Sequence, residues 1–383
     1  MKKILIVAPY CSLPGDKPFN RFLFMAKLLS ENGHKVTLVT SCFVHQEKKF
    51  RDRRVFSEKF DIQQLSERGY STNLCVKRVF SINDFTKNFS IWFDANHDFD
   101  VVISAYPLIG TNLAIVKRKS AFNFKYILDV QDVWPESIAS AVPLFRFIPK
   151  RILPFSKQAD IVYKNADAIV AVSSTYLERA LEASSTKLFE VLYIGAEFNR
   201  IKQVRPHLFR SKKIRMFYIG ALGPSYDIET VILACNRLHK EGLPVELHIM
   251  GIGKELEFYK KIAGDSVVFH GQVPYEKMFG IMKGCDIALN AVTSNATQSV
   301  TNKLSDYLAI GCPIINSSNN KEVLTLLDNR NATHYTPGSV SSFCSAFHAL
   351  TPSLCEKWVP DYRFDREKTY RIMLSVINSL LEK

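Results

Sequence analysis

Short apolar runs alternate with amphipathic segments along most of this 383-residue chain, and this alternation limits the possible folds more than any other feature. Residues 3–8 form an apolar run, residues 19–32 carry apolar side chains at helical spacing, and residues 35–40 form the next apolar run. Parallel strands need a long crossover connection, usually a helix, and helices that cover both faces of a sheet make its strands apolar throughout. The sequence therefore predicts an α/β fold with doubly wound parallel sheets.

The alternation occurs in two series, separated by a polar, basic stretch at residues 199–213 that we interpret as a linker. Residues 42–95 are less regular, and the first series then continues with strands predicted at 99–104, 125–130, 168–173 and 189–194. The second series has strands predicted at 214–219, 245–250, 267–270, 286–290 and 313–316, with helices at 228–241, 254–263, 275–283 and 302–310. We expect two Rossmann-like domains facing a central cleft, residues 1–205 and 206–360, followed by a C-terminal segment, 361–383, with a helix at 365–381.

Composition excludes several classes of protein. No apolar run reaches the 18 or so residues of a membrane-spanning helix, and no signal peptide is expected at the N-terminus. The eight cysteines are scattered and the nine histidines lack ligand spacing, so we expect reduced thiols, no metal site and a cytoplasmic protein. The formal charge of +13 predicts an anionic partner, which can be a nucleic acid, an acidic membrane or a phosphorylated small molecule.

The strongest candidate for a site is the loop-to-helix stretch at residues 299–316. Asn302 is a suitable helix cap, and Lys303 places a positive charge in the first turn, where free N–H groups and the helix dipole already favour an anion. Asp306 lies one turn further, where a carboxylate suits the hydroxyl groups of a sugar rather than a phosphate. This segment is interpreted as a nucleotide-sugar site, although a capped surface helix with an ordinary ion pair fits the same spacing.

Residues 302–315, N-K-L-S-D-Y-L-A-I-G-C-P-I-I, closely resemble the donor-site motif of retaining glycosyltransferases of family 4. Other stretches follow that family's order over nearly the whole chain, at 9–16, 33–37, 129–137, 166–173, 218–223, 251–253 and 268–273. The resemblance implies a GT-B fold with an acceptor-binding first domain, a donor-binding second domain and a last helix that crosses back to the first. The form V-Q-D-V-W-P-E-S at 130–137 is similar to transferases of bacterial O-antigen, capsule or exopolysaccharide synthesis, which implies a UDP-linked N-acetylamino sugar and a polyprenyl diphosphate-linked acceptor.

The motif and the resemblance together give a set of candidate site residues. Lys303 is expected to stabilise the leaving diphosphate, and Asp132, after the strand at 125–130, is expected to hold a hydroxyl of the acceptor or donor. A helix cap before Pro135 is the alternative role of Asp132, and Asp129 and Glu136 are weaker candidates for the same function. The predicted donor-binding residues are Gly15, Gly220, Gly223, Ser225, Gly251, Gln272, Val273, Gln298, Ser299, Val300, Thr301, Asn302, Lys303 and Asp306.

The sequence also departs from the family pattern. The family has two glutamates with seven residues between them, where this chain has Gln298 and Asp306, so we expect an altered sugar preference, with an inactive relative as the alternative. The loop 220–227 lacks the basic residue of many relatives, and backbone N–H groups at 223–226 are expected to replace it. Many relatives place a histidine beside the reacting carbon, but this chain has none between His97 and His207.

Residues 143–157 mix aromatic and aliphatic side chains with basic ones, which favours contact with an anionic membrane. An internal helix with a solvated basic side is the alternative. We expect a peripheral protein on the cytoplasmic face of the inner membrane. The expected contact residues are Phe145, Arg146, Phe147, Lys150 and Arg151.

Two other functions fit the sequence less well. A UDP-sugar 2-epimerase shares the two-domain architecture, and it would consume a UDP-sugar without any acceptor. A non-catalytic protein that binds RNA or an enzyme is the other, but the chain has no RNP-like motif and its charge is dispersed. Salt-sensitive nucleic-acid binding would favour that reading.

Overall fold

The computed structural model describes residues 1–14, 16, 21–51, 59–73, 75–137, 152–294, 296, 299–328, 332–354 and 359–382. The described chain divides into two compact units. The first unit comprises Met1–Leu192 and Tyr370–Lys383, and the second comprises Tyr193–Thr369. Each unit has its own parallel sheet and its own hydrophobic core.

The first unit contains a seven-stranded parallel sheet. Its strands are β1 (Lys3–Val7), β2 (Lys35–Ser41), β5 (Asp61–Leu65), β6 (Val101–Tyr106), β7 (Lys125–Val130), β8 (Ala168–Ala171) and β9 (Phe189–Val191), and their order is β5-β2-β1-β6-β7-β8-β9. A small antiparallel pair, β3 (Phe43–Val44) and β4 (Lys49–Phe50), follows β2. The helices are α1 (Arg21–Glu31), α2 (Val76–Ala95), α3 (Ile109–Phe122), α4 (Ser156–Asn165) and α5 (Ser174–Leu181), with α14 (Arg371–Leu381) at the end of the chain.

Alternate residues of β1 explain why this sheet is buried on both faces. Ile4 and Ile6 point into one core, which includes α1 and α14, whereas Leu5 and Val7 point into the other, which includes α2 and α3. A strand that is apolar at every position is stable only when helices cover both sides, because each face then removes its own side chains from water. The predicted doubly wound arrangement follows directly.

The second unit repeats this plan with six parallel strands. They are β10 (Ile214–Ile219), β11 (Val245–Met250), β12 (Val267–Gly271), β13 (Ile287–Asn290), β14 (Ile314–Asn316) and β15 (Ala332–His334), in the order β12-β11-β10-β13-β14-β15. The helices are α6 (Phe198–Gln203), α7 (Ile228–Lys240), α8 (Leu256–Ile262), α9 (Tyr275–Gly284), α10 (Asn302–Ile310), α11 (Lys321–Leu327), α12 (Val340–Leu350) and α13 (Arg366–Thr369). Met216 and Tyr218 of β10 face one core, and Phe217 and Ile219 face the other.

The border between the units lies after Leu192 rather than at the predicted residue 205. Most of α6 lies in the stretch interpreted as a linker, and its Phe198 and Ile201 are buried in the same core of the second unit as Phe364. Burial of these two apolar side chains holds the segment in the second unit, although most of its residues are polar. The predicted C-terminal segment also divides later than residue 361, since only Tyr370 and the residues after it belong to the first unit.

The predicted elements differ from the structure mostly at their ends. The strands at 125–130, 214–219 and 245–250 and the helix at 302–310 have the predicted bounds. The irregular stretch at 42–95 contains β5 and the 20-residue α2, and the C-terminal segment contains two helices where the sequence predicted one. No helix in the described ranges has the length and apolar character needed to cross a bilayer.

The predicted membrane-contact residues, 145–147, 150 and 151, lie outside the described residues. Membrane contact through this segment therefore stays a prediction.

Candidate functional site

The carboxyl edge of the second sheet carries most of the predicted site residues. β10 lies between β11 and β13, so the loops after β10 and β13 leave neighbouring strands, and β10 and β13 are not consecutive in the chain. In open α/β sheets, ligands bind outside the carboxyl ends of the strands at the point where the strand order reverses. Backbone contact joins these two loops, since Thr293 N–H donates to the carbonyl of Ser225 at 3.1 Å.

Two glycines hold the loop after β10 against the loop after β11. A Cβ atom on Gly251 would lie 1.8 Å from the carbonyl oxygen of Gly220, and one on Gly253 would lie 1.8 Å from that of Leu222. The same backbones are hydrogen bonded, because Leu222 N–H donates to Ile252 O at 3.0 Å. From the resemblance, Gly251 was predicted to line the base or ribose of the donor. The structure shows that glycine is needed there because the two backbones pack closely.

Helix α10 begins at the edge of this loop cluster. Thr301 is its N-cap, and its Oγ1 accepts from Leu304 N–H at 3.3 Å, so the predicted cap at Asn302 is wrong by one residue. Asn302 is the first helical residue and is exposed. Tyr307 fixes the helix to the sheet, since its hydroxyl accepts from Ile219 N–H at 3.2 Å and donates to Leu289 O at 3.3 Å.

Lys303 is the central charged group of the site. Its side chain is buried, with 6% of the residue exposed, and its Nζ donates to Tyr218 Oη at 3.0 Å. The ammonium also lies 3.4 Å from the ring centroid of Tyr226 and 4.5 Å from that of Tyr218. Among the described residues, no carboxylate pairs with it, and burial lowers the pKa of Lys303 well below its usual value.

This environment favours an anionic ligand. A buried ammonium is destabilised by loss of hydration, and aromatic faces compensate only in part. An anion bound at Lys303 restores the missing opposite charge and raises the pKa of the lysine again. Gly220 lies at the same place, since a Cβ on it would be 3.7 Å from Lys303 Nζ.

Asp306 does not form an ion pair with Lys303, which removes the ordinary ion pair as an explanation of their spacing. Asp306 is half-buried, and burial raises its pKa to about 7, with Arg366 lowering it and Glu197 raising it. A carboxyl group that titrates near neutrality and faces a different set of charges from Lys303 remains available for hydroxyl groups.

Ser299 and Val300 are buried in the loop that leads into α10. Ser299 Oγ donates to Glu322 Oε2 at 2.8 Å, and the other oxygen of that carboxylate accepts from Tyr193 Oη at 3.0 Å. Glu322 was missed by sequence reasoning, because it lies in the first turn of an unpredicted helix, α11, and only the tertiary structure brings it to this loop. Its contacts show that it positions the loop.

The remaining predicted donor residues fall into three groups. Gly220, Gly223 and Ser225 lie in the loop after β10, and Gln272 and Val273 follow β12, with Gln272 exposed. Gly15 and Gln298 lie outside the described residues. Tyr218 and Tyr226, which flank the ammonium of Lys303, were also missed by sequence reasoning. Their only sequence signal was their position at the end of β10 and in the following loop.

Asp132 follows β7 in the first unit, and both its carboxylate oxygens make local contacts. Oδ1 accepts from Val133 N–H at 2.8 Å, and Oδ2 accepts from Trp134 Nε1 at 2.9 Å. Burial raises the pKa of Asp132. The two weaker candidates, Asp129 and Glu136, both form ion pairs: Asp129 with Arg21 at 2.9 Å and Glu136 with Arg179. Of the three carboxylates, Asp132 is therefore the one without an ion pair among the described residues, and its hydrogen bonds to Val133 and Trp134 also stabilise its own loop.

No group of three or more His, Cys, Asp or Glu side chains is placed to hold a metal ion within the described part of the chain.

A family model matches part of the unit that contains this site. Residues 213–351 match the family model described as glycosyl transferases group 1. That range lies within the second unit and contains Lys303 and Asp306. No curated protein matches the sequence.

Solved structures are similar to this chain over nearly its full length. One is a sucrose-phosphate synthase from Thermosynechococcus elongatus, with a TM-score of 0.67, 13% identity, and coverage of 100% of this chain and 98% of that one. A second is Anabaena Alr3699/HepE in complex with UDP and glucose, with a TM-score of 0.61, 12% identity, and coverage of 100% and 99%.

A third is a putative UDP-N-acetylglucosamine 2-epimerase from Listeria monocytogenes, with a TM-score of 0.62, 10% identity, and coverage of 100% and 97%. At such identities the likeness shows the fold alone. The prediction of two Rossmann-like halves, the GT-B architecture, is confirmed.

Proposed function

We propose that the protein is a retaining glycosyltransferase of family 4 that needs no metal. It transfers a sugar, an N-acetylamino sugar by resemblance, from UDP to a polyprenyl diphosphate-linked saccharide during synthesis of a bacterial surface polysaccharide such as O-antigen or capsule. Three findings support this: the match of residues 213–351 to glycosyl transferases group 1, the GT-B fold, and a neighbour of that fold whose structure holds UDP and glucose. The enzyme is expected to work on the cytoplasmic face of the inner membrane.

The observation that carries the proposal is the environment of Lys303. Its buried ammonium lies at the N-terminus of α10, between two tyrosine rings and without a carboxylate partner among the described residues. A diphosphate at this point would meet the ammonium, the free N–H groups of the first helical turn and the positive end of the helix dipole.

This arrangement suits departure of a nucleoside diphosphate. The bond between the anomeric carbon and the β-phosphate oxygen breaks, negative charge develops on that phosphate, and the sugar acquires oxocarbenium character. Fixed donors that face the developing charge stabilise the transition state by several kcal/mol in a site that excludes water. The acceptor hydroxyl attacks from the side of the leaving group, and its proton passes to the departing phosphate, so no protein nucleophile takes part.

Two carboxylates would position hydroxyl groups. Asp306, in the same helix as Lys303, suits hydroxyls of the donor, and it replaces a family glutamate on a shorter side chain. Asp132 in the first unit suits a hydroxyl of the acceptor, although Val133 and Trp134 already donate to its two oxygens. We therefore expect Asp132→Asn to reduce turnover less than a change at Lys303.

Substitution of Lys303 tests the proposal. Lys303→Met keeps an unbranched side chain, one atom shorter, but removes its charge, and we expect kcat to fall by about 100-fold or more, the effect of losing one fixed oxyanion donor. The assay follows UDP release from a panel of UDP- and GDP-sugars with membrane extract as acceptor source, with and without EDTA.

The matched control is Lys240→Ala. It removes an exposed lysine at the C-terminal end of α7, the end away from the loop after β10, and should leave turnover unchanged. Full turnover by Lys303→Met would refute the donor-site assignment. Loss of turnover in EDTA would refute only the metal-independent mechanism.

An epimerase of UDP-sugars is the second candidate, because a putative UDP-N-acetylglucosamine 2-epimerase has the same fold. It would convert the UDP-sugar without any acceptor and without releasing UDP. Analysis of the sugar nucleotide after incubation with protein alone distinguishes the two activities.

A further inference from the structure

The face of an aromatic ring lies against the buried ammonium of Lys303. Nζ of Lys303 is 3.4 Å from the ring centroid of Tyr226, closer than the 4.5 Å to the centroid of Tyr218. It also donates to the hydroxyl of Tyr218 at 3.0 Å. The two rings meet edge to face, with their centroids 6.0 Å apart. The ammonium therefore has a hydrogen-bond acceptor on one side and an aromatic face on another.

These contacts leave the ammonium with donors for a ligand. An ammonium has three N–H donors, and the hydroxyl of Tyr218 accepts one of them. Gly220 keeps the space beside Nζ free of a side chain, since even a Cβ atom on it would be 3.7 Å from Lys303 Nζ and the glycine has none. A phosphate oxygen in this space would accept a charge-assisted hydrogen bond.

Backbone contacts on both sides of Tyr226 fix the position of its ring. The carbonyl of Ser225 accepts from the N–H of Thr293, in the loop after β13, at 3.1 Å. On the other side, Oδ2 of Asp227 accepts from the N–H of Gly338 at 3.0 Å. A loop held at both neighbours of a residue loses little further freedom when that residue packs, so the ring is placed against the ammonium before a ligand binds.

The loop that carries Tyr226 supplies no positive charge of its own. Residues 220–227 read G-A-L-G-P-S-Y-D and include no lysine or arginine. Burial favours the neutral amine of Lys303, whereas an aromatic face attracts the charged form and opposes this effect. The ring of Tyr226 therefore supports the charge that a diphosphate needs from Lys303.

No described carboxylate gives Lys303 the same support. Asp306, on the same helix, is influenced by the charges of Arg366 and Glu197. Both carboxylate oxygens of Asp227 accept hydrogen bonds from other residues. The tyrosines packed nearby stay uncharged, because burial raises the pKa of each; they are Tyr218, Tyr259, Tyr307 and Tyr335.

We propose that Tyr226 is a positioning residue for the donor diphosphate: the face of its ring keeps the ammonium of Lys303 charged and directed at the ligand. This inference rests on the proposed function, since the ligand is the diphosphate of the donor. The role belongs to the ring face and not to the hydroxyl, so a phenylalanine can fill it and an aliphatic side chain cannot.

The pH dependence of UDP binding tests this role. If Lys303 must be charged to hold the diphosphate, affinity falls by about 10-fold per pH unit above the pKa of the lysine in the free protein. Loss of a desolvated cation–π contact should lower that pKa by about one further unit. Tyr226→Leu should therefore bind UDP about 10-fold more weakly than the wild type at high pH. At low pH the two should bind equally, because the lysine is then charged in both the free and the bound protein.

Titration calorimetry with UDP from about pH 5.5 to 9.5 measures the difference. Ionisation of UDP itself is common to all variants, so a comparison at each pH isolates the protein. Tyr226→Phe keeps the ring face and should retain most of the affinity throughout. Tyr362→Leu is the matched control, because it removes an exposed ring 4.5 Å from the exposed Lys368, and it should bind UDP like the wild type. Equal binding at low pH also shows that Tyr226→Leu is folded.

Three results would overturn the proposal. A loss of affinity in Tyr226→Leu that is the same at every pH, or no loss at all, would leave the ring with a structural role only. A matching loss in Tyr226→Phe would assign the effect to the hydroxyl. Binding by Tyr226→Leu that persists to higher pH than in the wild type would mean that the ring only excludes water. UDP binding without consumption of any nucleotide sugar would refute the proposed function alone, because the pH comparison needs no turnover.

Discussion

At the residue scale, Lys303 and Asp306 differ in their surroundings although they are three positions apart in one helix. Lys303 is enclosed by Tyr218 and Tyr226, whereas Asp306 is influenced by Arg366 and Glu197. The sequence identified both as site residues from their types and spacing. It did not identify the two tyrosines, because contact between a helix and a loop some 80 residues away has no local signal.

The raised pKa of Asp306 predicts a pH-dependent stability difference. The folded state favours the protonated carboxyl up to about pH 7, whereas the unfolded chain ionises near pH 3.8. Ionisation therefore costs nothing below pH 3.8, costs progressively more as the pH rises to about 7, and costs a constant amount above that. Asp306→Asn removes the cost, so the variant should gain stability over the wild type between pH 4 and 7 and keep a constant gain above 7.

Urea unfolding of both proteins at pH 5, 6, 7 and 8 measures this difference in free energy of unfolding. A difference that is independent of pH, or that shrinks as the pH rises, would contradict a buried carboxyl of raised pKa.

At the element scale, the donor-side loops are held together by backbone packing. The loops after β10 and β11 approach so closely that Gly251 and Gly253 have no room for a side chain, and the loop after β13 bonds to the first of them. The sequence showed a Gly-x-Gly pair after a strand and no more. The tertiary structure explains the two glycines, because the carbonyl oxygens of Gly220 and Leu222 leave no space for a Cβ atom.

Alanine substitution should destabilise the protein where a glycine packs against another backbone and have little effect where the glycine has open space around it. Gly253→Ala would place a Cβ 1.8 Å from Leu222 O, so we expect a loss of about 1–3 kcal/mol in stability and weaker UDP binding as the loop moves. Gly223→Ala, in the neighbouring loop after β10, is the control for stability, because nothing lies within 4 Å of its added Cβ and its backbone has no positive φ.

Urea unfolding midpoints and UDP titrations of both variants measure the difference. Equal behaviour of Gly253→Ala and Gly223→Ala would mean that the two loops do not need this close approach.

At the scale of the whole molecule, a buried ion pair connects segments of the first unit that are far apart in the sequence. Arg21 donates to both oxygens of Asp129 at 2.9–3.2 Å, and its Nη1 donates to Tyr370 Oη at 2.8 Å and to Leu192 O at 3.1 Å. The guanidinium of Arg21 thus connects α1 and β7 with Leu192, where the first stretch of this unit ends, and with Tyr370, where its second stretch begins. The last helix, α14, packs in the same core through Met373 and Ile377.

Removal of the carboxylate should destabilise the first unit strongly. Asp129→Asn leaves a buried, fully charged arginine without its partner, which typically costs about 3–5 kcal/mol. The surface pair of Arg118 and Asp94 provides the control, since Asp94→Asn affects an exposed carboxylate and should change the unfolding midpoint little. An unfolding midpoint of Asp129→Asn equal to that of the wild type would show that Arg21 is satisfied by Tyr370 and Leu192 alone.

The sequence by itself determined the parallel α/β architecture, the two series of strands, and the position of Lys303 and Asp306 at the start of a helix. These features follow from local periodicity and from residue types, which are properties of short segments. The predicted border at 205 was late because α6 is polar overall, and two apolar contacts assign it to the second unit.

Only the tertiary structure decided which side chains surround those positions. Two examples are the tyrosines around Lys303 and the carboxylate of Glu322 behind Ser299, which both depend on where separate elements meet. Burial and neighbouring charge set the character of an ionisable group, and both come from residues that are distant in the chain, so no short segment of sequence encodes them.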